Sequence, residues 1–545
     1  MAMDDYLLWW HSHNYGNPPN DDNPPNDDNS TDDDPVSASS ISIFDLPTEM
    51  IYYITSYLDL NNIYNIRRAS KDFNEITIRN IKEYFRNHLL HIDLEPEYNG
   101  KNEQFLNFLS EILSEEEPIL KINLINIEHN PEYFKYFLEY LGSRISSLTF
   151  RQSFNSSDSE QRHMQYFIEV IKNKNLTNIQ ELYLSGNKFG HEDIKDLFNV
   201  TEYMPNLKEL SLVGNKIDQE DIIYFTEVAR KGYLAKLKKL NLFNNELGCE
   251  GFEILLNCFP FMELEELYLG YNEIGPQGMK YLTKVAQENL LNYLQILDLS
   301  GNLLEDEGLK YFSSIAYLMP KLTNLNLALN KISPEGVQYL DRFNLQVLDL
   351  RKNKLGGGIE ILSSFSALTQ SLKKLYLGRN NIGPEEIKCL SKFINLEELD
   401  IGKNNLGSED IKILSSFSDF MKNLRKLYLA RNNIDSEGVQ YLNGLNLQEL
   451  DLGGNNLGSK GFENLSKVEF PKLKNLYLKN NNIGQNMIYL IKKFPSLEVL
   501  DLSGNKIGDE ILDVVSGLNL RELYLKNNNI DQDKISHFPK FVKFE

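Results

Sequence analysis

Cysteine is nearly missing: Cys249, Cys258 and Cys389 are the only three in a chain of 545 residues. That scarcity excludes a disulfide scaffold and fits a reducing compartment. No run of 18 apolar residues occurs, which excludes a membrane-spanning helix. The start offers no basic segment followed by a long apolar stretch, so secretory export is not expected. Lys and Arg are absent from residues 1–40, which hold nine Asp, and the whole chain carries a formal charge of −22. A surface of that sign repels phosphate backbones, so bulk nucleic-acid or anionic-membrane binding is disfavoured, while local basic patches stay open.

Chemistry-bearing motifs are missing too. There is no Cys-x-x-Cys, His-Glu-x-x-His, Gly-x-Ser-x-Gly or phosphate-binding glycine loop, so no enzyme, cofactor or metal is expected. His88 and His91, three apart on an expected helix, have no Cys or carboxylate cluster nearby and read as polar helix residues. The three cysteines fall in the outer segments of repeats and read as small apolar packing.

What is present divides into three parts. Residues 1–40 contain Asn-Pro-Pro-Asn-Asp-Asp twice in tandem, a composition that cannot bury enough surface to fold and reads as a disordered acidic tail. Trp9, Trp10, His11 and His13 there are compatible with a docking motif or weak metal site, and read more simply as unordered terminal residues. In residues 41–91, Met50, Ile51, Ile54, Tyr57 and Leu58 recur at helical spacing, followed by Ile63, Ile66 and Ala69, then Phe73, Ile76 and Ile81. Three short helices cannot enclose a core alone and need a neighbour or partner.

Leu46-Pro47-Thr48-Glu49-Met50, then Ile54-Thr55-Ser56-Tyr57-Leu58, then Ile63, Ile66, Arg67 and Ala69-Ser70-Lys71-Asp72-Phe73 resemble the F-box. Met50 replaces the usual Ile and Ala69 the usual Val. The resemblance implies docking to the Skp-type adaptor of a cullin–RING ubiquitin ligase through Leu46, Pro47, Ile54, Leu58, Ile63 and Ile66. The alternative is a helical cap for the domain that follows.

From residue 179 onward one template recurs, Leu-x-x-Leu-x-Leu-x-x-Asn-x-Leu/Ile, as in 207–217, 264–274, 372–382 and 473–483. Its Asn slot is filled fourteen times in succession, from Asn187 to Asn528. The mean interval of about 26 residues lies in the leucine-rich repeat range. Leu-x-Leu supplies a short strand with inward leucines, and the Asn amide bonds backbone groups of the turn that follows. Segments such as 384–390 follow as outer helices. One repeat cannot bury its own leucines, so neighbours must stack. The texture of 330–336 and 432–438 resembles the ribonuclease-inhibitor and Ran-GTPase-activator class of repeats. The expected fold is α/β: a right-handed horseshoe solenoid with a parallel concave sheet and outer helices, over residues 179–545. Two weaker repeats, 119–124 and 145–150, are expected within a linking segment, 92–178. The 17 residues after Asn528 suffice for one capping helix or turn.

Between the two leucines of Leu-x-Leu, the residue facing away from the core reads Asp349, Tyr376, Asp400, Tyr428, Asp451, Tyr477, Asp501 and Tyr524, a strict alternation. Earlier repeats contribute Tyr183, Ser211, Asn241, Tyr268, Asp298 and Asn326. Beside this line, Lys374, Glu398, Lys426 and Glu449 alternate in sign, and Lys352, Arg379, Lys403 and Arg431 form a basic line. Two readings are open. One is duplication of a two-repeat unit of about 51 residues with self-compensating charges. The other is a groove for a protein partner, with Tyr268, Asp349, Tyr376, Asp400, Tyr428, Asp451, Tyr477, Asp501 and Tyr524 as its contact residues.

Together these resemblances imply a substrate receptor of a cullin–RING ubiquitin ligase, in which the helical module docks the adaptor and the repeats hold a substrate protein. A plain interaction scaffold is the alternative, and a GTPase activator, by fold analogy alone, a third. A cytoplasmic location is expected. High Asn, Ile, Lys and Tyr content suggests an AT-rich genome, of an amoeba-like eukaryote or an intracellular bacterium; in the latter case the protein would be an effector in host cytosol.

Overall fold

A strand of three residues centred on one leucine opens almost every repeat, because Leu-x-Leu aims alternate side chains into a common core. The computed structural model describes residues 89–93, 120–125, 131–150 and 161–544, apart from residues 188, 286–290, 418–421, 516, 518–519, 538 and 540. Among them, eighteen strands form one parallel sheet in sequence order, from Leu89–Asp93 to Val542–Lys543. The central leucines Leu348, Leu375, Leu399, Leu427 and Leu450 are wholly buried. They share a continuous apolar core with residues of the outer segments such as Ile387, Ile411, Val439 and Phe462. The expected repeat solenoid, with a parallel sheet and outer helices, is the observed fold.

Repeat length sets the outer segment. Asn215 and Asn245 lie 30 residues apart, and the twelve-residue α-helix Gln219–Arg230 fills the interval. Asn330 and Asn353 lie 23 apart, and only the 3-10 turn Gly336–Leu340 fits. A 3-10 helix rises about 2.0 Å per residue against 1.5 Å for an α-helix, so it spans the return path with fewer residues.

The asparagines do more than close their own turns. Asn404 Nδ2 donates to Gly402 O at 3.3 Å in its own repeat and to Leu377 O at 3.1 Å in the preceding one. Its Oδ1 accepts the N–H groups of Asn380 and Ile382, at 2.8 and 3.2 Å, both also in the preceding repeat. The same backward clasp joins Asn215 to Asn187, Asn330 to Asn302 and Asn505 to Asn481. The slot is therefore an inter-repeat ladder, and its residues from Asn187 to Asn505 are buried.

Several expectations need correction or fall elsewhere. The first strand, Leu89–Asp93, pairs with Leu120–Ile125, so the sheet begins one strand earlier than the two weak repeats implied. His91 stands in that strand and not on a helix, which removes the helical spacing with His88. At the other end the expected turn after Asn528 is the 3-10 helix Gln532–His537, and a further strand, Val542–Lys543, follows it and pairs with Leu523 and Tyr524. Of the cysteines only Cys258 is fully buried, its thiol donating to Leu255 O; Cys249 and Cys389 are half-buried. The acidic tail and the F-box-like residues Leu46, Pro47, Ile54, Leu58, Ile63 and Ile66 lie outside the described residues.

Candidate binding surface

Residues flanking each central leucine point away from the core, onto the open face of the sheet. Strand register brings the alternating residues side by side: Asp349 pairs with Tyr376, Tyr376 with Asp400, Asp400 with Tyr428 and Tyr428 with Asp451. The series continues through Tyr477 and Asp501 to Tyr524. Lys374, Glu398, Lys426 and Glu449 likewise stand in one row.

The two residue types do different work. Each Asp pins the exit of its own strand: Asp400, Asp451 and Asp501 accept the N–H of Gly402, Gly453 and Ser503, each at 2.8 Å. Asn241 and Asn326 make the same bond through Oδ1, which explains why Asn substitutes there. The tyrosines reach sideways. Tyr376 donates to Glu398 at 2.8 Å and Tyr428 to Glu449 at 3.0 Å, each in the following repeat. Tyr268 and Tyr524 donate to Glu266 and Glu522 of their own strands. Lys374 and Lys426 sit 3.6 and 3.4 Å from the same Glu398 and Glu449.

This mutual bonding changes what the face offers. Tyr268, Asp349, Tyr376 and Tyr428 are buried, enclosed by their neighbours' side chains, so they form the floor and not the presented surface. Asp400, Asp451, Tyr477, Asp501 and Tyr524 are half-buried. Arg351, which the sequence pattern did not single out, clamps Asp349 through Nε at 3.0 Å and lies over the Tyr376 ring at 5.3 Å. Its signal was a large basic residue in the slot that Gly402, Gly453 and Ser503 fill elsewhere.

Enclosure also moves the titration of other carboxyls on this face. Burial pushes the carboxyls of Asp298 and Asp400 up to about 6. Asp451 rises to about 7, through burial and the charges of Asp400 and Asp501 on either side. An unfolded aspartate titrates near 4, so the folded state binds protons more tightly between these limits. The stabilisation from these groups is fully present below about pH 4 and is lost as pH rises through 6 to 7. Thermal unfolding followed from pH 5 to 8 is expected to show a falling midpoint. Asp451→Asn, which keeps the acceptor for Gly453, should gain about 2 kcal/mol at pH 8 and much less at pH 5. Equal effects at both pH values would refute the assignment.

His191, Asp218 and Asp221 also converge, their ligand atoms within 4.8 Å of one another. Both carboxylates are engaged at the start of helix Gln219–Arg230: Asp218 accepts from the N–H groups of Glu220 and Asp221, and Asp221 Oδ2 accepts in return from Asp218 N–H. His191 Nδ1 lies 2.9 Å from Asp221, and that hydrogen bond raises its pKa. The cluster is a helix cap.

Family models agree with the repeat reading. Leucine-rich repeat family models match residues 178–200 and 471–530, and a third matches six further segments between 263 and 466. No curated protein matches the sequence. The solved structure of an internalin from Listeria monocytogenes is 23% identical over 63% of this chain and 82% of that one, with a TM-score of 0.32. The assignment rests on the repeat models, on the leucine core and on the asparagine ladder: the regular part of this chain is an array of leucine-rich repeats.

Proposed function

We propose that the chain is a substrate receptor of a cullin–RING ubiquitin ligase, acting in the cytosol. A protein-binding role comes with the leucine-rich repeats. The finer reading rests on one observation: Leu46-Pro47-x-Glu49-Met50, Ile54-x-x-Tyr57-Leu58 and Ala69-Ser70-Lys71-x-Phe73 follow in F-box order ahead of the repeats. In this reading residues 41–91 dock a Skp-type adaptor, and the open face of the sheet holds the protein to be modified. Catalysis belongs to the assembled ligase and not to this chain.

Affinity purification from eukaryotic cytosol, with the full chain and with a version lacking residues 41–91, tests the division of labour. The adaptor is expected with the full chain only, and a repeat-bound partner with both. A full chain that retains repeat-bound partners and no adaptor is an interaction scaffold.

A further inference from the structure

The residue just before each ladder asparagine has a positive φ in all fourteen repeats. A left-handed backbone costs a residue other than glycine about 1–2 kcal/mol, and Asn tolerates it best among the rest. Eight of the fourteen slots accordingly hold Gly or Asn, among them Gly186, Gly214, Asn244, Gly454 and Asn480. Six do not; Tyr271 and Leu329 are two of them, and the other four stand in consecutive repeats. These four are Lys352, Arg379, Lys403 and Arg431, with φ of 55, 62, 55 and 55°.

Strain in this row is joined by repulsion. Burial and the charges of Arg379 and Arg351 hold the Lys352 ammonium below the ordinary lysine value. Lys403 is lowered by Arg379 first, then by slight burial and by Arg431. Lys403 and Arg431 are fully exposed, Lys352 and Arg379 half-buried. By contrast, Lys374 and Lys426, one short step away on the same strands, are matched with Glu398 and Glu449. Lys and Glu thus alternate along one row of this face, while like charges stand in adjacent repeats along the next. Four like charges held in adjacent repeats, in a backbone conformation that favours glycine, point to an external role.

We propose that Lys352, Arg379, Lys403 and Arg431 form a docking ridge for an acidic protein segment that carries carboxylates along one face of a helix. The proposal rests on the reading of the open face as a protein-binding surface, and names the partner's chemistry. Spacing selects the partner. Neighbouring strands lie about 4.8 Å apart, so the four charges span about 15 Å. Side chains at i, i+3 and i+4 of a helix lie about 5–6 Å apart, close to that pitch. Same-face residues of an extended peptide lie nearly 7 Å apart and lose register within two contacts. A polynucleotide carries its charge well past the ridge, where the chain's net −22 repels it.

The test uses the full chain and three probes: a helical peptide with Glu at every third or fourth position, its Gln counterpart, and a single-stranded oligonucleotide of equal charge. Fluorescence anisotropy at low and physiological salt should show binding of the Glu peptide alone, weakening as salt rises. Replacing all four residues by glycine (K352G, R379G, K403G, R431G) should weaken that binding at least about tenfold. The same variant should keep or raise the thermal midpoint, because glycine accepts the left-handed backbone without strain. Weakened binding therefore cannot be ascribed to misfolding. No binding by the wild type, equal binding of the Gln peptide or by the glycine variant, or tighter oligonucleotide binding overturns the proposal. A natural repeat-bound partner retained in full by the glycine variant overturns the ridge and leaves the receptor reading standing.

Discussion

Replacing Asn404 by alanine should lower the free energy of unfolding by roughly 3 kcal/mol, since it strands several buried polar groups at once. The substitution removes the acceptor of the Asn380 and Ile382 N–H groups and the donor to Leu377 O. Water cannot reach this position to replace them: Asn404 is 3% exposed, between two apolar layers. Asn433, in the next repeat, is exposed, and its side chain donates one long bond, to Asn405 O at 3.4 Å. Asn433→Ala should therefore change stability by no more than about 0.5 kcal/mol. Because a repeat array can open in sections, hydrogen exchange is the more telling measurement. It should show faster exchange at residues 380–406 in Asn404→Ala, and an unchanged profile there would contradict the ladder.

Adaptor capture should be abolished by the paired substitution Leu46→Ala, Pro47→Ala. In the F-box reading Pro47 would fix the direction of entry into the first expected helix, and Leu46 would be an apolar anchor seeking a pocket on the partner. The repeats have their own core, from Leu120 to Val542, so their thermal midpoint should not move with the same variant. Pull-down and calorimetry on one preparation separate the two effects. Undiminished adaptor capture by the double variant would remove the main support for the F-box reading.

The repeat array was legible because its template is mechanical. Leu-x-Leu and the asparagine slot fix strand, core and turn, and the alternation of Asp with Tyr became strand register without a slip. Less was legible at the edges. The strand Leu89–Asp93 lacks the asparagine that marks the fourteen regular repeats, as Leu120–Ile125 and Ile145–Phe150 do, and only its pairing with Leu120–Ile125 reveals it. The open face was read correctly in composition and incompletely in exposure. A tyrosine between two leucines points outward in any strand, but whether it meets solvent depends on the adjacent repeats, whose Glu398 and Glu449 here take the hydroxyls of Tyr376 and Tyr428. The left-handed slot was invisible in the pattern, because a basic residue there looks like any surface charge until its φ is known.

The ladder has a polarity. Asn404 secures the turn of the repeat before it, and Asn432 in turn supplies the acceptor for the N–H of Asn404. Each ladder turn as far as that of Asn505 is therefore finished by the repeat that comes after it in the chain. During synthesis the most recent repeat always has unanswered amides, and the next one to emerge answers them. Assembly of this protein can then proceed in step with translation, with the unsatisfied edge travelling toward the C-terminus until the Val542–Lys543 strand arrives to pair with Leu523 and Tyr524.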